Sequence, residues 1–187
     1  MNYQRNNISN AIRVVPIDRL HSVILTHQDI DHIGSLPTLI EELDTELTVY
    51  AHEIDRPYIE GERPLLKLDL PEEMQHYVTN PPKAKVNQIL SEGDELPYFG
   101  GISVIFTLGH ISLYLKRSKI LIAGDAMFSM NGQLRGPNGH TAPDMSTALK
   151  SLSKFLDYDI SKVICFHGGL CTNNVNEQIG ALNFILE

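Results

Sequence analysis

Seven consecutive residues, Thr26-His27-Gln28-Asp29-Ile30-Asp31-His32, put two imidazoles and two carboxylates directly after the apolar run Val23-Ile24-Leu25. Single His and Asp residues are common in solvated loops. Four of them at the spacing His-x-Asp-x-Asp-His, followed by Gly34, are what a metal site requires. Two nitrogen and two oxygen donors suit zinc, manganese or iron better than calcium or magnesium. Three more apolar runs end the same way. Ile120-Leu121-Ile122-Ala123-Gly124 runs into Asp125, and Val163-Ile164-Cys165-Phe166 runs into His167 with Gly168-Gly169 behind it. Val104-Ile105-Phe106-Thr107 leads through Leu108-Gly109 to His110. A glycine beside the polar residue lets the backbone turn sharply and leaves the side chain unobstructed. Singly, Asp125 reads as a turn residue, His110 as a hydrogen-bonded histidine and His167 as a strand-end cap. Together with the dense cluster they read as one shared site.

The elements that must position these residues follow from periodicity and turn residues. Apolar spacing predicts a helix over Ile8 to Val15, stopped by Pro16, and a short buried strand from His21 to Thr26. Ser35 to Leu43 is a predicted helix, with Ser35 as cap and Pro37 in its first turn. Strands are predicted at Leu47 to Ala51, Lys85 to Leu90, Ile102 to Phe106, Ser112 to Lys116, Lys119 to Ala123 and Lys162 to Phe166. The charged, proline-dotted stretch between Glu53 and Pro82 admits short helical pieces around Pro57 and over Glu72 to Tyr77. Asp144 to Leu156 reads as an amphipathic helix with Met145, Ala148, Leu149, Leu152, Phe155 and Leu156 on one face. Val175 to Leu186 reads as a closing helix. The pattern is mixed α/β, with ligand-type residues just after strands.

Composition narrows the partners. The 187 residues carry 15 Lys+Arg against 23 Asp+Glu, a net charge of -8, which disfavours a phosphate backbone as partner. The basic residues are scattered, so no nucleic acid is expected. No apolar run approaches the ~20 residues of a membrane span, so no membrane is expected, and a start without an apolar leader favours the cytoplasm. Cys165 and Cys171 are too few and too far apart for a disulfide framework or a Cys-x-x-Cys pair and read as free thiols. Ser112 and Ser129 have no base beside them in sequence, so no nucleophilic serine arrangement competes with the metal.

The strings Thr26 to Gly34, Gly109-His110 to Leu115, Ala123-Gly124-Asp125 and Phe166-His167-Gly168-Gly169 resemble, in this order, the motifs of the metallo-β-lactamase superfamily. The resemblance covers the chain from about Ile17 to Gly169. It implies an α/β fold, the αββα metallo-β-lactamase sandwich, in a single domain over residues 1–187, with two divalent metal ions at one edge. It further implies that His27 and Asp29 bind the first metal together with the histidine of the Gly-His motif. Asp31, His32 and His167 would bind the second, and Asp125 would bridge both. A hydroxide between the metals would be the nucleophile, and Asp31 could also carry its proton.

Three departures bear on that expectation. Asp29 stands where the superfamily most often has His, which implies a subgroup. A third carboxylate against two divalent ions leaves about one net positive charge in place of two, a weaker Lewis acid that brings manganese or iron closer to zinc. The segment Thr107 to Ser112 is short, so His110 is either the ligand histidine or the later, non-ligand one. The chain also starts close to the first motif, so the expected sandwich lacks its first strands, which predicts an exposed sheet edge, low stability or self-association. Among the remaining polar residues, His52 reads as a strand cap, His76 as solvated and Asp144 first as a helix cap, although the loop of His140 and Asp144 follows Asp125 and could line the pocket; Tyr58 and Phe128 could contact substrate but, as core or surface aromatics, need no such role. The expected function is a metal-dependent hydrolase of a small ester, thioester or lactone, with zinc first among the metals. The alternatives are a non-catalytic relative that keeps the scaffold and a di-iron redox relative.

Overall fold

The structure is a computed structural model that describes residues 20–43, 46–66, 72, 75–137 and 144–183. The helix expected at Ile8 to Val15, and His140, lie outside the described residues. The chain divides into two compact units, Met1–Leu90 and Ser91–Glu187.

The first unit is built on three parallel strands in the order β1 (Ser22–Ile24), β2 (Thr48–His52) and β3 (Gln88–Leu90). Ser22 pairs with Thr48 and Tyr50 with Gln88. Parallel strands need crossovers, and here helices supply them. Between β1 and β2 lie α1 (Ile30–Ile33) and α2 (Leu36–Glu42). Pro37 sits in the first turn of α2, where its missing N–H costs nothing, and Ser35 is the N-cap without a side-chain cap bond. Between β2 and β3 lie α3 (Arg56–Ile59) and α4 (His76–Thr79). Leu25, Ile30, Ile33, Val49, Ala51 and Ile59 form the centre of this unit's core. The strand expected at His21 to Thr26 is shorter and only half-buried, and the one expected from Lys85 begins its pairing at Gln88.

The second unit holds a six-stranded sheet in the order β11-β10-β7-β6-β5-β4. Its members are β4 (Glu95–Leu96), β5 (Ile102–Thr107), β6 (His110–Leu115), β7 (Ile120–Gly124), β10 (Lys162–Cys165) and β11 (Gly169–Cys171). All neighbours are antiparallel except β7 and β10. The β7–β10 crossover carries a hairpin, β8 (Phe128–Met130) and β9 (Gln133–Arg135), then α5 (Met145–Ser151) and a 3-10 helix (Leu152–Asp157). The last helix is α6 (Val175–Asn183). Leu121, Ala123, Val163 and Cys165 of the sheet share a core with Leu152, Phe155 and Ile179 of the helices.

Two sequence expectations change here. The single helix expected from Asp144 to Leu156 is α-helical only to Ser151 and then tightens into the 3-10 form. At three residues per turn Leu152 and Phe155 eclipse each other, and both are fully buried. Leu156, which a 3.6-residue period would place beside Leu152, is rotated outward and is 48% exposed. Asp144 caps α5 as expected, its carboxylate accepting from the Thr147 N–H at 3.0 Å. The second change concerns His110, which opens β6 and pairs with Thr107 across a two-residue turn. Gly109 takes φ +83° there, a left-handed value that favours glycine.

Candidate metal centre

In the first unit, β1 releases the chain into the His-rich segment, held at its start by the Leu25 N–H donating to the Tyr50 carbonyl at 2.9 Å. Asp29 is the N-cap of α1, but its side chain makes no cap bond. Its backbone carbonyl accepts from the N–H groups of His32 and Ile33 at 2.9 and 3.1 Å. The carboxylate is therefore turned to other work. Ile30 and Ile33, three apart on one helix face, are buried in the core. That anchor turns Asp31 outward and leaves His32 half-buried.

The donor atoms of this segment fall into two pairs. His27 Nε2 lies 3.8 Å from Asp29 Oδ2, and His32 Nε2 lies 3.8 Å from Asp31 Oδ2. The two imidazoles approach to 3.9 Å between ring centroids. Thr26 Oγ1 sits 3.1 Å from His27 Nδ1 and 3.3 Å from His32 Nδ1. A hydroxyl oxygen has two acceptor sites, so Thr26 can accept an N–H from each ring, which puts the lone pair of both neutral imidazoles on Nε2. Those are the nitrogens that face the carboxylates.

In the second unit the ligand-type residues stand at strand ends. The β7–β10 register shifts between Ile164 and Cys165, so that Cys165 faces Gly124. A shift of this kind re-aims the residues that follow, here Asp125 and His167. His167 Nε2 lies 3.4 Å from Asp125 Oδ2, with the Asp125 side chain almost fully buried and that of His167 half exposed. The His167 carbonyl accepts from the Ser129 N–H at 3.0 Å. Gly168, at φ +90°, runs so close that a Cβ there would lie 1.7 Å from the Ser129 carbonyl oxygen. His110 Nδ1 is 3.1 Å from the Leu108 carbonyl. A carbonyl only accepts, so Nδ1 carries the proton and Nε2 the lone pair, as metal-binding histidines are commonly held.

The chemistry of these donors fits divalent metals. Ligand atoms each ~2.1 Å from one ion lie no more than about 4.2 Å apart. The His27–Asp29, His32–Asp31 and His167–Asp125 separations all fall inside that span. Thiolate donors are absent from the set. Burial pushes the Cys165 thiol up to about 12, aided by neighbouring Cys171 and Asp125, so it is a protonated core side chain. Both cysteines are buried free thiols, as expected. The Ser112 hydroxyl donates to the Ala123 carbonyl, and the buried Ser129 Oγ has no hydrogen-bond partner among the described residues. His52 ends β2 and its Nδ1 accepts from the Ile54 N–H, which fits the cap reading.

Three residues escape the sequence reading. Thr26 stands there only as the start of the motif, although a hydroxyl beside the first histidine is a usable signal. Gln28, inside the motif, and Asp55, 27 positions later, are buried polar residues joined by a hydrogen bond from Gln28 N–H to Asp55 Oδ1 at 3.1 Å. Burial pushes the Asp55 carboxyl up to about 7, the Gln28 N–H opposing and the Asp29 charge adding.

Comparison with known proteins leads in the same direction. The family model of the metallo-beta-lactamase superfamily matches residues 5–167. The probable metallo-hydrolase YflN of Bacillus subtilis is 28% identical, the match covering 80% of this chain and 65% of that protein. The metallo-beta-lactamase fold-containing protein ST1585 of Sulfurisphaera tokodaii is 27% identical over 91% of this chain and 69% of its own length. Its crystal structure superimposes with a TM-score of 0.65. The metallo-beta-lactamase family protein TTHA1429 of Thermus thermophilus is 20% identical with a TM-score of 0.70, covering 97% of this chain and 66% of that one. The chain thus spans about two thirds of the length of these relatives. Among the described residues no helix is long and apolar enough to cross a membrane. With the family model matched along most of its length and the fold shared with solved members, the chain belongs to the metallo-β-lactamase superfamily.

Proposed function

We propose that the protein is a metal-dependent hydrolase acting on a small ester, thioester or lactone, with His27, Asp29, Asp31, His32, His110, Asp125 and His167 as its metal ligands. The observation that carries this reading is the orientation of the donors. Thr26 and the Leu108 carbonyl hold the Nδ1 side of three imidazoles and so leave Nε2 as the coordinating nitrogen. The pairing of His27 with Asp29 and of His32 with Asp31 supports a division of the ligands between two ions, zinc first, with manganese or iron favoured by the third carboxylate.

Bound divalent ions would supply Lewis acidity and a water acidified toward neutral pH. The protein's own residues supply the rest. Asp31, the more exposed carboxylate of the cluster, takes the proton of the attacking water on an Oδ atom and returns it to the leaving oxygen or sulfur. Buried His27 and Asp29 hold their donors in place without solvent competition. Gly168 lets the chain turn beneath His167 and keeps that imidazole beside Asp125.

Metal analysis of the purified protein, alongside His27→Ala and His167→Ala, tests the reading. Two ions per wild-type chain, with loss in both variants, are expected. A wild-type protein that binds no zinc, manganese or iron after reconstitution defeats it. A screen of esters, thioesters and lactones with each metal then assigns the substrate, and no turnover above that of the two variants would leave a metal-binding protein without hydrolase activity.

A further inference from the structure

Gln28 lies between two proposed ligands in sequence, yet its side chain is turned into the protein and is only 5% exposed. Its amide is fully specified by what it touches. Gln28 Nε2 donates to Asp29 Oδ1 at 2.5 Å, and Gln28 Oε1 accepts from the Leu66 N–H at 3.1 Å. A backbone N–H can only donate and a carboxylate can only accept, so the amide has one orientation, and no other common side chain of its length meets both demands. The Gln28 backbone N–H in turn donates to Asp55 Oδ1.

Asp55 is itself unusual. It is the N-cap of α3, but its carboxylate makes no cap bond there. It is 4% exposed and reaches across to the loop after β1 instead. Its backbone is fixed on both sides, by its N–H donating to the His52 carbonyl and by its carbonyl accepting from the Tyr58 and Ile59 N–H groups. The β2–α3 turn is therefore a rigid post to which the metal-binding loop is tied.

We propose that Gln28, anchored by Asp55 and by the Leu66 backbone, is a positioning residue that orients Asp29 for its metal. With Oδ1 engaged by Gln28, the other oxygen, Oδ2, is the one presented beside His27 Nε2. A carboxylate free to rotate would offer either oxygen, or both, and would have to be ordered when the metal arrives. Gln28 does that ordering in advance. This role also explains how an aspartate, shorter than a histidine, is held as a ligand at position 29. The inference rests on the metallo-hydrolase reading and adds to it a residue that touches neither metal nor substrate.

The test is the zinc affinity of the full chain, measured by competition with a chromophoric chelator, for wild type, Gln28→Met and Gln28→Glu. Met preserves bulk and removes both hydrogen bonds. Glu keeps the acceptor for Leu66 N–H but sets a second carboxylate against Asp29 in place of the donor, so it is the variant to read, with the Asp29→Ala background as its control for the added charge, if Gln28→Met does not fold. Circular dichroism of the metal-free proteins reports folding. Zinc binding weakened on the order of 10- to 100-fold is expected, as for other residues that orient metal ligands. The same substitutions made on an Asp29→Ala background should have no further effect. Variants that bind zinc within about twofold of a zinc-binding wild type overturn the inference and leave the hydrolase reading intact. An equal loss on the Asp29→Ala background also overturns it, because the effect would then not pass through Asp29. A wild type that binds no metal defeats the function reading, and this inference with it.

Discussion

Replacing Asp55 with asparagine should flatten the pH dependence of stability of the metal-free protein. The carboxyl is buried, and its pKa is raised from 3.8 to about 7, burial being the main cause. In the unfolded chain the group gives up its proton near its ordinary value, whereas the folded protein keeps it until about pH 7. Between those limits the folded state holds this one extra proton, so the stability that Asp55 contributes is greatest below pH 4 and falls as pH rises toward 7. At roughly 1.4 kcal/mol per pH unit, the raised pKa corresponds to at most about 4 kcal/mol across this window. The amide of Asp55→Asn cannot ionise but keeps an oxygen for the Gln28 N–H, so the variant isolates the charge. Urea unfolding followed by circular dichroism, in excess chelator from pH 4 to 8, measures the difference. With a slope of about 2 kcal/mol per molar urea, the wild-type midpoint should fall by up to about 2 M relative to that of the variant. Groups that do not interact with Asp55 are common to both proteins and drop out of the comparison. Parallel curves for the two proteins would refute the assignment of a protonated, buried Asp55.

Other expectations follow from packing and backbone geometry. Gly168→Ala drives a Cβ into the Ser129 carbonyl at a left-handed φ, so it should cost more than about 2 kcal/mol in chemical unfolding and loosen His167. Leu152→Ala should cost about 2–5 kcal/mol, whereas Leu156→Ala, half exposed on the same helical segment, should cost under about 1 kcal/mol; equal costs would argue for a continuous α-helix. Asp144→Ala should lower the melting temperature and Asp144→Asn should restore most of it, since the cap needs an acceptor for the Thr147 N–H and not a charge. Thr26→Val should weaken zinc binding while leaving the fold unchanged by circular dichroism, because it removes the shared acceptor of His27 and His32 and nothing from the core.

The parts of the fold that could be read from residue order are those with a local cause. Ile120 to Gly124 and Lys162 to Cys165 announce themselves by short apolar runs with β-branched residues that lead into a polar residue beside glycine, and Asp144 by its place before an apolar helical face. The cluster from His27 to His32 was legible for the same reason, its chemistry being packed into six adjacent positions. The hairpin Phe128–Met130 with Gln133–Arg135 was not, because each strand is three residues long and half polar. Strand Gly169–Cys171 was hidden behind two glycines that read as a turn. The 3-10 segment was hidden because Leu152, Phe155 and Leu156 satisfy a 3.6-residue period equally well, and only burial separates them. Gln28 and Asp55 lie furthest from view. Their meaning comes from a hydrogen bond spanning 27 positions, which no local pattern encodes.

The parallel pairing of β1 with β2 has a practical consequence for anyone wishing to alter this protein. Strands that run the same way end at the same rim, so the segment after β1 and the turn after β2 emerge side by side. Beyond Leu25, whose N–H still donates to the Tyr50 carbonyl, neither contributes to the ladder between Ser22–Ile24 and Thr48–His52. A library confined to the exposed positions 53, 54, 64 and 66, leaving the buried Asp55 and Leu65 unchanged, would therefore vary the surroundings of the Gln28 braces while keeping the pairing of that sheet in place.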